Sequence, residues 1–145
     1  MTCVNLSAKV EYACVAVLEL AKHWGQEDPL HIRDIADAHG IPSRFLVQIL
    51  LHLKGAGIVQ STRGASGGYH LARAPETISL LDVMSVIDGP AFRVESNIEQ
   101  QTPTTRVLIE TWNAVAAAER KVLAAYNFAE LNERLSNQAE EMYYI

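Results

Sequence analysis

Ser61-Thr62-Arg63-Gly64-Ala65-Ser66-Gly67-Gly68-Tyr69-His70-Leu71 is the stretch of this chain best suited to binding chemistry. Hydroxyl donors, an arginine and three glycines share one short turn, and backbone and side-chain donors so arranged suit the oxygens of an anion. The stretch lies in a window, residues 38–75, that contains no Asp or Glu but holds Arg44, Lys54, Arg63 and Arg73. The chain as a whole is acidic, with 12 Lys+Arg against 17 Asp+Glu. An acidic protein that keeps carboxylates out of one window reserves that surface for a polyanion, and nucleic acid is the first candidate.

The rest of the chain must position that window. Residues 1–75 hold seven basic and six acidic groups, residues 76–145 five basic and eleven acidic. The first part is thus suited to a polyanion and the second to solvent or a protein partner. A length of 145 residues, 49% of them hydrophobic, allows one folded domain with an extension. Apolar runs are too short to cross a membrane. The start, Met1 to Leu6, has no basic segment leading into an apolar core, so the expected location is the cytoplasm. Cys3 and Cys14 are too few for a disulfide framework, which fits a reducing compartment.

Periodicity predicts a first amphipathic helix over Ala8–Trp24, with Tyr12, Val15, Ala16, Glu19 and Leu20 at helical spacing. Gly25 to Pro29 breaks it. His31–His39 forms a short second helix, with Gly40 at its left-handed end. A third helix opens at Pro42, buries Phe45, Leu46, Ile49, Leu50 and Leu53, and ends at Gly55 or Gly57. Two short helices joined at a glycine match a helix-turn-helix. Gly57–Thr62 and Tyr69–Ala72 then read as strands around the loop Gly64–Gly68, which makes the unit a winged helix.

Ser79-Leu80-Leu81-Asp82 is a capping box that opens a helix through Ile87. Residues 91–103 read as a loop. Thr104–Tyr126 reads as a long helix in which Leu108, Trp112, Val115, Val122 and Tyr126 recur at steps of three and four, interrupted by Glu119. So small a domain leaves that helix little to pack against, and pairing with its copy in a second subunit is the expected use. A short helix near Phe128–Leu135 and a frayed tail complete the reading. The fold class is therefore mostly α: a winged helix-turn-helix domain with a two-stranded β wing (residues 1–89), a loop (90–103), a long dimerisation helix (104–127), and a short C-terminal helix with its tail (128–145).

Several segments together resemble a bacterial winged-helix regulator family, the one that includes the iron–sulfur cluster regulator, the nitric-oxide-sensing repressor and the cysteine-metabolism repressor. They are Leu6–Ala13, Asp34-Ile35-Ala36, Ile41-Pro42, Phe45-Leu46, Leu53–Val59, Arg63-Gly64, Gly67–Arg73, Ile78-Ser79-Leu80 and Val86–Gly89. The arginine–glycine wing after Gly57-Ile58-Val59 is the most specific of these, and the resemblance spans about residues 6–128. It implies homodimers that bind double-stranded DNA at partly palindromic operators and usually repress. Trp112 stands where the family's long dimer helix often carries a tryptophan.

On this reading Ser43, Arg44, Val47 and Gln48 face away from the buried stripe of the third helix and enter the major groove. Gln48 pairs with an adenine edge, and Arg44 reaches guanine or phosphate. Arg63 resembles the family's minor-groove arginine. Gly64, Gly67 and Gly68 let backbone approach phosphate, Ser61, Thr62 and Ser66 donate to it, and Tyr69 continues the wing. Lys9 and Lys54 are further phosphate contacts. The alternative reading makes these ordinary solvated charges and an ordinary turn. Val47 departs from relatives that use an acidic residue there in base discrimination, so their operator preference does not transfer.

Relatives with an iron–sulfur cluster hold it by three cysteines before the long helix, whereas Ala91–Arg106 contains none. The expectation is a regulator with no cluster and no other cofactor, controlled by a small molecule or a partner protein. Glu11 reads as a surface charge and Cys14 as a small buried apolar residue. His23, His31, His39, His52 and His70 show no metal-ligand spacing. No nucleophile–base pair stands out, so an enzyme is not expected. Two alternatives remain: an adaptor whose winged helix binds protein, and a thiol-based redox sensor.

Overall fold

The computed structural model describes residues 6–65, 67–89 and 94–143. Ser7 starts the first helix, α1 (Ala8–Lys22), by accepting the Val10 N–H at 3.2 Å on its side-chain oxygen. The buried face runs through Val10, Ala13, Ala16, Val17, Leu20 and Ala21, while Tyr12 and Val15 flank it half-buried. Alanines along this face let other helices approach closely. α1 stops two residues before the expected Trp24, whose indole stands 47% exposed.

α2 (Ile32–His39) ends at Gly40, which takes the left-handed conformation at φ 65° and donates its N–H to the Ala36 carbonyl. Ile41 then turns into the core, and Pro42 caps α3 (Ser43–Gly55) from just outside the helix rather than forming its first turn. α3 buries Leu46, Ile49, Leu50 and Leu53. Phe45 was expected among them but is half-buried: its ring packs at 6.3 Å from the Tyr12 ring, with the Arg44 guanidinium 5.0 Å above it.

β1 (Val59–Thr62) and β2 (Gly68–Leu71) pair antiparallel with Val59 opposite Leu71 and Thr62 opposite Gly68. Val59 and Leu71 enter the core, and the tip projects into solvent. Leu30, in the connection before α2, adds a non-local bridge to this hairpin through two bonds with Tyr69, 3.0 and 2.9 Å long. A single 3-10 turn (Pro75–Thr77) leads to α4 (Leu80–Asp88), whose capping box is complete: Asp82 N–H to Ser79 at 3.1 Å and Ser79 N–H to Asp82 at 2.9 Å.

α5 (Pro103–Ala125) starts at a second capping box, formed by Thr102 and Thr105. α6 (Phe128–Tyr143) is twice as long as the sequence suggests. Its anchoring is tertiary. Phe128 is fully buried, its N–H bonds the Ile78 carbonyl at 3.0 Å, and the Leu80 N–H bonds the Tyr126 carbonyl at 2.9 Å. This clasp folds α6 back onto α1 and the 3-10 turn, so a largely polar helix is held in place. The result is a mostly α fold with a winged helix-turn-helix and a long C-terminal helix.

Candidate nucleic-acid interface

The candidate interface comprises three segments: the outer face of α3, the wing, and the start of α1. α3 turns four apolar side chains inward, which dictates what its opposite side presents. Ser43, Arg44, Val47 and Gln48 are all exposed, as the sequence predicts, and α3 contains no carboxylate. Phe45 supports Arg44 from beneath, so the guanidinium is held on a ring and not merely solvated.

Sequence reasoning missed Leu51. At 3.6 residues per turn it projects between Arg44 and Val47, opposite Leu46, Ile49, Leu50 and Leu53, and it is 53% exposed. The signal was present: a leucine at a position where the helix period demands a polar residue. Lys9 also gains a location. It lines one shallow cleft with Phe45, Gln48, Ile49, His52 and Ile87, which brings the start of α1 beside the α3 face. Lys54 is exposed in the last turn of α3.

In the wing, Arg63 is exposed where β1 ends. The Gly67 N–H donates to the Gly64 carbonyl at 2.9 Å and closes the tip. Ser66 lies outside the described residues. The three glycines are not equivalent. A side chain on Gly68 would sit 2.5 Å from the Leu30 carbonyl oxygen, and one on Gly67 would collide with the Thr62 carbonyl oxygen. Gly64 has no neighbour there, but its φ of 110° favours glycine. Gly67 and Gly68 thus have an internal reason to be glycine that the sequence reading did not supply. Tyr69 is half-buried at the Leu30 bridge.

The acid-free window of sequence is not an acid-free surface throughout. Asp82, from the capping box of α4, stands 3.6 Å from Arg73 and partly neutralises it. Arg44, Arg63, Lys9 and Lys54 have no carboxylate partner within salt-bridge distance among the described residues. Behind the helix-turn-helix, Glu19 on α1 accepts from Lys22 at 3.1 Å and bonds His39 at 2.9 Å, tying the last residue of α2 to α1. Burial raises the Glu19 carboxyl, but the hydrogen bonds and charges of His39 and Lys22 outweigh it and hold the group below its ordinary 4.5.

The long helix presents a different surface. α5 buries only Ala116 among its described residues. Leu108, Trp112, Val115 and Val122 are exposed by 55%, 47%, 39% and 56%. Tyr126 instead belongs to the corner between α5 and α6, half-buried with the Arg134 guanidinium 5.2 Å from its ring. The loop before α5 is pinned to it by Asn113, which accepts the Val94 N–H at 2.8 Å and donates to the Val94 carbonyl at 3.1 Å. A groove lined by residues 94–98, Thr105, Leu108, Ile109 and Trp112 runs beside this clamp. Cys14 packs against the core, and burial pushes its thiol up to about 11, which fits an apolar packing role. Cys3 lies outside the described residues. Glu11 is exposed.

The profile of a family described as "Rrf2: Iron-dependent Transcriptional regulator" matches residues 6–134. A Mycobacterium tuberculosis protein assigned to the HTH-type transcriptional regulators is 39% identical over 132 residues, 88% of this chain and 81% of that protein. The HTH-type transcriptional regulator CymR of Bacillus subtilis is 33% identical over 143 residues, covering 98% of this chain and all of its own length. Its structure, that of the global cysteine regulator, superposes with a TM-score of 0.79 over 90% of this chain and 98% of CymR. T. potens IscR is 30% identical with a TM-score of 0.73, over 92% and 89% of the two chains.

The iron in that family description raises the question of donors. Residues 94–106 offer only oxygen and amide ligands, and no thiolate lies anywhere in 91–106. Iron–sulfur clusters are fixed by soft thiolates. The donor set of this loop does not fit a cluster. The loop is fastened to α5 by the Asn113 clamp instead. Fold, profile and relatives agree on identity, and the chain belongs to the Rrf2 family of DNA-binding helix-turn-helix transcriptional regulators.

Proposed function

We propose that the chain acts as a homodimeric repressor of a partly palindromic operator, without an iron–sulfur cluster, and under the control of a small molecule or a partner protein. The observation that carries the dimer is α5: 23 residues of helix bury one alanine and leave Leu108, Trp112, Val115 and Val122 bare. Apolar area of that kind is worth about 25 cal/mol per Å² when covered, and a two-fold axis covers it on both copies at once. Two-fold symmetry then sets two α3 helices on successive turns of duplex, roughly 34 Å apart.

In each half-site Ser43, Arg44, Val47 and Gln48 read the major groove. Arg63 enters the adjacent minor groove, backbone at Gly64, Gly67 and Gly68 lies along phosphate with Ser66 and Tyr69, and Lys9 and Lys54 neutralise phosphates. A dimer so seated excludes polymerase from an overlapping promoter, which is repression by occupancy. The groove between residues 94–98 and α5 gives an effector access to Leu108 and Trp112, and through them to the dimer.

The test is selection of bound duplex from a random pool, followed by salt titration of the enriched sequence. The expected result is a partly palindromic consensus, bound two chains per site, with affinity that falls steeply as salt rises. If no sequence is enriched and low-salt affinity is negligible, the winged helix is a protein-binding adaptor and the proposal fails.

A further inference from the structure

Two apolar side chains, Val47 and Leu51, stand one turn apart on the exposed side of α3, 42% and 53% accessible. Single exposed apolar residues need no explanation. These two are adjacent, on the helix face that also carries Arg44 and Gln48, with Lys9 at its edge and Lys54 in the last turn. The core is already filled from the opposite side by Leu46, Ile49, Leu50 and Leu53, so neither side chain has an internal destination. A partner for this face must accept apolar contact in the middle and positive charge at the rim.

The major groove of DNA has that character where a thymine lies. Thymine is the base of the four that presents a C5-methyl group there, and phosphates line both walls. We propose that Leu51, together with Val47, is a specificity-determining pair that packs on thymine methyl groups in each half-site. The inference rests on the proposed seating of α3 in the major groove. Residues four apart on a helix are separated by roughly 6 Å along its axis, so the pair spans one to two base-pair steps at about 3.4 Å each. The methyls it meets therefore belong to neighbouring or next-but-one base pairs. Neither residue can accept a hydrogen bond, so at these positions a cytosine amino group gains nothing and is disfavoured.

The experiment uses the enriched operator from the random pool, with its thymines replaced one at a time by deoxyuridine, which removes the methyl alone. For the wild-type chain, binding weakens about fourfold at one or two thymines per half-site, the worth of one buried methyl. In Leu51→Ala, whose melting temperature is checked to be unchanged, the same replacement has no effect at one of those positions. In Leu51→Met the sensitivity is kept. If specific binding holds and Arg63→Ala weakens it, but deoxyuridine is neutral everywhere or penalised equally in Leu51→Ala, the thymine reading is overturned while the proposed function stands. If no sequence is enriched and the Val47–Leu51 face captures an apolar peptide instead, both fail.

Discussion

α3 and α5 are both amphipathic helices, but they differ in where their apolar residues go. α3 sinks four of its thirteen residues into the core and offers solvent a face with basic, amide and two apolar groups. α5 sinks one of twenty-three and offers a stripe of leucine, tryptophan and valines. The first helix is held within its own chain, so its outer face is free to read a ligand. The second packs on α4 but leaves its apolar stripe uncovered within its chain, and the proposed dimer would cover it. On the proposed function the difference separates recognition from assembly, and substitutions on each helix should separate them too.

The largest effect falls on α5. Val115→Glu sets a carboxylate in the middle of the apolar stripe, and on the proposed dimer the dissociation constant should rise about a hundredfold. Sedimentation equilibrium reads it, while circular dichroism should show an unchanged helix content. A variant that stays dimeric at the same concentration removes α5 as the interface and collapses the contrast with α3.

Next comes the placement of the wing. Gly68→Ala puts a methyl against the Leu30 carbonyl oxygen and should cost about 1–3 kcal/mol in chemical denaturation. Gly64→Ala meets no atom and carries only the backbone cost of its positive φ, about 1 kcal/mol. Equal losses in the two would mean that the Leu30 approach is not what holds the hairpin.

Arg63→Ala should leave stability and dimerisation alone, weaken operator binding about tenfold, and reduce the slope of affinity against salt by about one. Loss of dimerisation in this variant would show that the two surfaces are not separable. The smallest effect is at Glu19, which holds the end of α2 and thereby the entry to α3. Its folded carboxyl titrates below its unfolded value, so its contribution is complete above the unfolded pKa and is lost as pH falls through the folded one. Glu19→Gln should cost about 0.5 kcal/mol near neutrality. Melts at descending pH should bring wild type and variant together below 4.5, and a gap that widens there contradicts the sign.

Much of the architecture was legible in the chain because it rests on local signals. Gly40 ends α2 in the left-handed conformation expected of it, and Ser79 with Asp82 forms the expected box within four residues. The α3 stripe follows from one period applied to thirteen residues. Where the reading fell short, the decisive atoms were distant in sequence. The sequence after Leu135 is polar and reads as a tail, yet α6 runs on to Tyr143, with its start fixed by burial of Phe128 and its bond to Ile78. Phe45 counts as core by type, but its ring stops half-buried against Tyr12 of α1.

By itself the sequence determined the order of elements, the outward side of α3, the unpartnered stripe of α5 and the lack of thiolates before it. Each of these depends on residue type and on a spacing of a few positions. Only the tertiary structure decided that Asp82 answers Arg73, that Lys9 sits beside Gln48, that Leu30 explains Gly68, and that Tyr126 leaves the stripe for the α6 corner. Those facts depend on close approach between separate elements, some joined by a short turn and some far apart in the chain. No local period encodes such an approach, which is set when the core packs and each helix finds its neighbours.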